Sequence, residues 1–595
     1  MNKASGFLFI FLFFTLPSLA GSGDEFQTLL EEHWDWQMLE NPVWASRIGD
    51  RRWNDKWTDN SLVAIEQRHS KAQLFLRRLQ LIGSRELSRQ DQLNYDLLRR
   101  SLENKIDGHQ FKAYLMPMSQ RGGVQSLEST AESLRLMNVQ DYEDWLTRMS
   151  NIEDVVEQTI KLMEEGRKTG YMPPKILMTR IPDQIATQLV ENPEDSPFYK
   201  AFTEIPVTIA DEDRRRLQQI ARTIIDESLV PTYREFSNYF NDVYLPSSRE
   251  SIGASKLPNG EAFYEYRTHL YTTTRMTPNE IHRLGLNEVK RIRDEMQLVI
   301  DELQFDGSFS EFLHFLRTDP QFYYETPEEL FAGYLAISKR IDPNLVKLFG
   351  KLPRIPYGLR PIPNNIAPDT TTAYYSGPAA DGSRPGYYYV NLYRPEVRPK
   401  YEMEVLSIHE AVPGHHLQIA LQMELEEMPN FRKYSGFTAF TEGWGLYSES
   451  LGYEMGFYTD PYSRFGALTY DMWRAVRLVV DTGMHYKGWT RQQAIDFFKD
   501  NAAKTEQDIV NEIDRYISWP GQALAYKIGQ LKILQLRKNA EQGLGADFDI
   551  KSFHDAILGG GALPLEVLEM RMNLWLAEQF RLKTNEKNTL RRRYQ

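Results

Sequence analysis

The chain has 595 residues, of which 41% are hydrophobic, 26% charged and 12% aromatic. That composition excludes disordered, collagen-like and multi-pass membrane classes, and a formal charge of −12 argues against a nucleic-acid partner, which needs a basic stripe. There is no cysteine, so disulfides, thiol nucleophiles, iron–sulfur clusters and Cys-ligated zinc are ruled out.

Lys3 precedes an apolar stretch from Gly6 to Leu16, followed by Ser18 and Ala20. A basic start, a short apolar core and small residues predict a signal peptide over 1–20, cut after Ala20. The stretch falls short of the about 20 apolar residues that span a bilayer. The mature chain is therefore expected to be exported, periplasmic or secreted, with no stable membrane insertion and no lipid-bearing cysteine at the cut. The rest, 21–595, reads as one large, mainly α-helical unit.

Ser61 to Ile82 places Leu62, Ile65, His69, Leu74, Leu76 and Leu79 near helical spacing. Val156 to Gly170 predicts a helix closed by a glycine cap. Thr277-Pro278-Asn279-Glu280 is a helix start with a capping box, and that helix is expected to reach about Leu303. Asp342 to Gly350 and Gly488 to Asp500 read as further helices. From Tyr374 to Leu392, Gly and Pro punctuate a β-prone run at Tyr387-Tyr388-Tyr389-Val390, which predicts a hairpin or small sheet.

The chemistry sits just beyond that sheet. Three of the 11 histidines fall within His409-Glu410-Ala411-Val412-Pro413-Gly414-His415-His416. In the zinc motif H-E-x-x-H, two His four apart share a helix face and the Glu between them is the general base. Here Pro413 occupies the second His position. On an unbroken helix, six residues turn about 600° and seven climb about 10 Å, so neither His415 nor His416 could share an ion with His409. Pro413 cannot bond the carbonyl of His409 and clashes with it, and Gly414 is free to bend. The helix is therefore expected to break and bring His415 or His416 back beside His409; removing Pro-Gly restores HEAVH, which favours His415. Glu442, at the start of the next predicted helix, is the natural third ligand. Glu449, one heptad on, is a lesser ligand candidate or a partner for a ligating imidazole. The expected cofactor is one Zn2+ per chain.

Glu410 is the expected base. Oxyanion donors are sought among His485, Tyr526 and Tyr516, with Asp481 four residues before His485 and able to pair with it. Arg474 and Arg477 could grip a substrate carboxylate, although surface ion pairing is the plainer reading. Tyr374, Tyr375 and Tyr387 to Tyr389 offer an edge strand for an extended peptide. Glu311 and His314 form a lone E-x-x-H, where a di-iron bundle needs two. No P-loop, GxGxxG or G-x-S-x-G occurs.

HEAVPGHHLQ at 409–418 and TEGWGLY at 441–447 resemble the bacterial domain-of-unknown-function family 885. So do the segments 276–289, 382–392, 473–489, 520–529 and 553–569, in order along nearly the whole mature chain. The family is similar to helical gluzincin zinc peptidases such as thermostable carboxypeptidases and oligopeptidases, and dipeptidyl peptidase III likewise carries an insertion between its two zinc-helix histidines. The resemblance implies a single catalytic unit, a carboxypeptidase- or oligopeptidase-like hydrolase of short peptides, with a channel between two helical halves, roughly 21–275 and 276–595, that shuts out folded proteins. The other readings are a metal-dependent amidohydrolase of another kind and a catalytically silent peptide-binding protein; retention of Glu410 beside three histidines speaks against the silent one.

Overall fold

The computed structural model describes residues 21–593, apart from 364–366, 370, 380–381, 383 and 435, with backbone only at 369 and 585–593. The predicted signal peptide lies outside the described residues. The described chain is mainly helical with one small sheet. Among the described residues no helix is long and apolar enough to cross a membrane.

Helices α1 (Ser22–Glu40), α2 (Leu62–Ile82), α3 (Arg89–His109), α4 (Val139–Ser150) and α5 (Ile152–Thr169) open the fold. The glycine cap expected at the end of α5 is present, and α2 has a side-chain cap as well. Ser61 Oγ accepts from Ala64 N at the start of α2, and α5 ends on Gly170 with φ 83°. The buried face of α2 differs from the sequence reading. Ile65, Ala72, Phe75 and Leu79 go inside, while Leu62 and Leu74 are 40% and 41% exposed. Helix α2 packs on α1 and α3, and Phe75 rather than Leu74 points inward, where its ring meets His33 edge to face and Trp36 at a tilt.

The second half is built on α6 (Gly260–Thr272), α7 (Pro278–Glu302), α8 (Met403–Glu410), α9 (His415–Met423), α10 (Thr438–Ser450), α11 (Pro461–His485), α12 (Glu506–Ser518), α13 (Ala525–Leu544) and α14 (Leu565–Arg593). The capping box of α7 forms between Thr277 and Glu280, and the helix Arg491–Asn501 starts on a Thr490–Gln493 box. The segment from Asp342 is shorter than expected, a 3-10 turn leading into Leu345–Leu348. Glu311 has a structural use, closing a capping box with Ser308.

The sheet has three strands in the order β1 (Tyr357–Pro361), β3 (Gly386–Val390), β2 (Ala373–Ser376). Strand β2 is antiparallel to β3, as the predicted hairpin requires, with Tyr375 opposite Tyr388. Strand β1 adds on the other side, parallel; its Gly and Pro content hid it from sequence reading. Alternate residues Gly386, Tyr388 and Val390 of β3 are buried, the period-2 pattern of a sheet with one covered face. One continuous apolar core runs from Phe26 to Met572.

Helix α11 is buried along nearly its whole length, and α7 lies against it with Gly285 facing Leu478 and Val479. Helices α10 and α13 approach still more closely. A Cβ placed on Gly529 would stand 1.8 Å from the carbonyl oxygen of Ala439 and 2.7 Å from Gly443 Cα. Both contacts are backbone, so no side chain can move aside. Gly529→Ala should lower stability by about 1–3 kcal/mol, the usual cost of overpacking, read as a lower midpoint in urea unfolding; an unchanged midpoint would contradict this packing.

Candidate metal centre

Helix α8 stops at Glu410 and α9 starts at His415. Between them Ala411 and Gly414 leave helical geometry, with ψ of −107° and −126°. The broken ladder is rejoined by Gly414 N–H donating to Ile408 O at 3.0 Å and His416 N–H to Ala411 O at 3.0 Å. Gly414 is required here, because a Cβ would meet the His409 carbonyl oxygen at 1.8 Å. Helix α10 holds the break from the side. Trp444 Nε1 donates to the Pro413 carbonyl at 2.8 Å, and Ser448 Oγ reaches the same oxygen at 3.4 Å.

The same helix supplies two carboxylates. Glu442 and Glu449 are seven apart, so they share one face of α10. The His409 ring spans them, lying over Gly445, where a Cβ would come within 2.7 Å of its Cε1. His409 Nδ1–H donates to Glu449 Oε1 at 2.8 Å, which turns Nε2 toward Glu442 Oε2 at 3.8 Å. His415 brings its Nε2 to 3.3 Å from that oxygen, and the two imidazoles meet edge to face with centroids 4.7 Å apart. One donor atom from each of His409, His415 and Glu442 lies within 4.8 Å of the others. Burial pushes the His409 pKa down, but the carboxylates of Glu442, Glu449 and Glu410 outweigh it and raise it to about 9. Burial pushes Glu442 up, and the two imidazoles more than offset this, holding it well below the usual carboxylate range.

Glu449 therefore orients an imidazole and is not one of the converging donors. It is 5% exposed and has Arg474 Nη2 at 3.4 Å. Arg474 and Arg477 are each 4% exposed, so the surface pairing expected of them is wrong. Helix α11 is covered on all sides, and Arg477 pairs inside with Glu512 Oε2 at 3.1 Å.

Three sequence candidates are committed elsewhere: His416, His485 and Tyr516. His416, the alternative to His415, faces the sheet: Tyr375 O–H donates to its Nδ1 at 2.8 Å, and its Nε2–H donates to Ile355 O at 3.1 Å. Both nitrogens are occupied, and burial lowers its pKa to about 4. His485 is fully buried and equally committed. Its Nδ1 accepts from Ala254 N at 3.0 Å and its Nε2–H donates to Tyr516 O at 3.0 Å. Its expected partner Asp481 instead accepts from Tyr264 O–H at 2.6 Å and from Gly521 N–H at 3.1 Å. Tyr516 is also spent, donating to Glu512 at 2.7 Å while Trp473 and Arg477 donate to it.

Tyr526 is less committed, its hydroxyl accepting only from Gln522 Nε2 at 3.5 Å among the described residues, and Glu410 follows His409 directly in the chain. Tyr526 is half-buried, and burial, then the Glu442 charge, raises its pKa, so the phenol keeps its proton. Glu410 is half-buried and makes no hydrogen bond or ion pair with a described residue.

The donor set fits a small divalent ion. Two imidazoles and one carboxylate converge, as in three-ligand zinc sites that leave one position open, and His415 Nδ1 is buried with no hydrogen-bond partner among the described residues. Sequence reading missed Gly445 and the Trp444 clamp, although both stand in the TEGWGLY motif. Gly445→Ala should push the His409 ring aside and weaken zinc binding by roughly 10–100-fold, the usual effect of disturbing a ligand's support, whereas His416→Gln should keep the metal. Competition against a chromogenic chelator measures both; loss of zinc in the His416 variant alone would reverse the choice of ligand.

Among functionally curated proteins none matches the chain. Two solved structures share the fold. One, described as "the putative lipoprotein from Colwellia psychrerythraea", superposes with a TM-score of 0.89 at 26% identity, covering 94% of this chain and 100% of that one. The other, from Shewanella oneidensis and described as "a putative lipoprotein of unknown function", gives 0.69 at 18% identity over 92% and 99%. The family model described as bacterial protein of unknown function matches residues 42–572, and the chain belongs to that family, DUF885.

Proposed function

We propose that the protein is an exported zinc-dependent peptidase of short peptides, with the ion held by His409, His415 and Glu442 and with Glu410 as general base. The observation that carries this reading is the convergence of those three donors beside the Glu410 carboxylate, which has no hydrogen-bond or ion-pair partner among the described residues. The likeness to gluzincins, a broken His-bearing helix followed by a Glu-bearing one, supports it.

When bound, the ion would polarise the scissile carbonyl and lower the pKa of a water at the site to about 7. The protein's own groups do the rest. Glu410 takes a proton from the attacking water as its oxygen bonds to the carbonyl carbon. It returns that proton to the amide nitrogen as the C–N bond breaks. Tyr526, which keeps its proton, donates its O–H to the oxygen that gains charge. Glu449 fixes the His409 ring, and Arg474 balances the buried carboxylate. Side-chain exposures of 3%, 11% and 19% for His409, His415 and Glu442 favour an extended chain over a folded protein as substrate.

The two lipoprotein-described structures and the predicted signal peptide support export to the periplasm.

The test is a digest of mixed peptides read by mass spectrometry. The wild type loaded with zinc should cut peptides, and Glu410→Gln should keep the metal while losing at least about a hundredfold in rate, the usual share of a general base. Equal digestion by both overturns the role of Glu410. Metal binding with no cleavage by the wild type would move the protein to an amidohydrolase or a binding protein.

A further inference from the structure

A cavity of about 530 Å3 lies between α1, α3, α6 and the start of α10. Aromatic rings make much of its wall, with Trp44, Tyr266, Tyr271, Phe431 and Phe437 among them. Two cations, Lys105 and Arg432, also line it, and among the described residues no Asp or Glu does. In a chain of charge −12 this is a local reversal of sign.

Neither cation has a carboxylate partner among the described residues. Arg432 is 4% exposed. Its Nη1 donates to Asn94 Oδ1 at 2.8 Å and its Nη2 to the Gly560 carbonyl, both neutral acceptors. The guanidinium is therefore fixed in the wall while its charge stays unbalanced. Lys105 is accessible to solvent and makes no hydrogen bond or ion pair with a described residue. Its Nζ stands 4.4 Å from the centroid of the Trp36 ring. The protein packed around it, and next Arg68, lower its pKa to about 8, with Glu40 opposing. Glu40 is itself held by Arg68 Nη1 at 3.2 Å. The wall adds neutral donors. Helix α10 starts at Thr438 with no side-chain cap and no acidic residue in its first turn, so the unsatisfied N–H groups and positive pole of a helix start remain there, and Phe437 and Thr438 both line the cavity. The side-chain amides of Gln37 and Asn104 line it too and make no hydrogen bond with a described residue.

We infer that this cavity is a binding site for a small aromatic carboxylate without a free amino group, with Lys105 receiving the carboxylate and the ring-lined wall receiving the aromatic body. A charge held in a protein wall without a counter-charge is costly, and an anion in the cavity supplies what both cations lack. An ammonium on carboxylate is a charge-assisted pair, the volume is that of a small-molecule site, and the absence of acidic lining removes the repulsion an anion meets elsewhere on this chain. Aromatic walls favour a ring, which stacks or meets them edge to face. The same one-sided charge disfavours a free amino group on the ligand, since the lining offers no carboxylate to receive it. Binding here needs no metal and does not depend on the peptidase reading.

The test is titration calorimetry on the full mature chain at pH 7 with four probes: N-acetylphenylalanine, its amide N-acetylphenylalaninamide, phenylalanine itself and inorganic phosphate. The acetylated acid should bind roughly tenfold or more tightly than each of the other three, the worth of one charge-assisted hydrogen bond. Lys105→Gln should abolish the preference for acid over amide, and Lys105→Arg should keep it. Ser101→Trp, which fills the cavity from an exposed position on α3, should abolish binding of the acid. No binding of the acid, equal binding of acid and amide, or an undiminished preference in Lys105→Gln overturns the assignment. Binding that survives Ser101→Trp lies elsewhere on the chain and overturns it as well. Phosphate bound as tightly as the acetylated acid would overturn the aromatic part, and phenylalanine bound as tightly would overturn the exclusion of an amino group.

Discussion

The site depends on how the His409 imidazole is held. Its two nitrogens are pulled in opposite directions by Glu449 and Glu442, two carboxylates a heptad apart on α10. This works only because Gly445 leaves no Cβ under the ring. With Nδ1–H committed to Glu449, the lone pair of Nε2 has one direction left, toward the position where His415 and Glu442 also point. The break at Pro413-Gly414 matters for the same reason. It lets α9 restart so that His415, six residues along, returns to its neighbour, and the Trp444 indole fixes the Pro413 carbonyl so that the restart has one geometry. Three features of the site, the held bend in the chain, the orientation of the His409 ring and the Glu442 carboxylate, thus depend on a single helix, α10.

Buried charge surrounds this arrangement. Helix α11 turns charged residues inward toward three neighbours: Arg474 to Glu449, Arg477 to Glu512, and Asp471 to Lys527 at 2.6 Å. Lys504 and Glu402 make a further pair at 2.5 Å, with side chains 4% and 5% exposed. Removing one partner of such a pair strands the other in a poor solvent and typically costs about 3–5 kcal/mol. Each pair therefore fixes one relative placement of its helices. The backbone contact between Gly443 and Gly529 does the same for α10 and α13 without charge. A centre that needs three side chains from two helices and a kinked linker benefits from a frame that cannot slide.

Much of this was legible in the sequence where the physics is local. The capping box at Thr277 is a contact between residues three apart, and it forms as read. The Pro-Gly break follows from a missing N–H and a missing Cβ. What sequence could not give is the identity of partners far along the chain. His415 and His416 are adjacent, and their fates are separated by Tyr375 and by the Ile355 carbonyl, which take His416 away. His485 looked free to pair with Asp481 one helical turn back, yet Ala254 and Tyr516 claim it, and Asp481 goes to Tyr264 and Gly521. Arg474 and Arg477 have a surface spacing, but the helix carrying them is enclosed. In α2 the apolar residues outnumber the places for them, and packing against α1 chose Phe75 over Leu74.

The most direct test of the central claim is anomalous diffraction at the zinc edge from crystals of the mature chain grown with the ion. The account predicts one strong peak about 2.0–2.2 Å from a nitrogen of His409, a nitrogen of His415 and the Glu442 carboxylate, with His416 still bonded to Tyr375. Zinc found elsewhere, with those three side chains ordered and no peak between them, would contradict it.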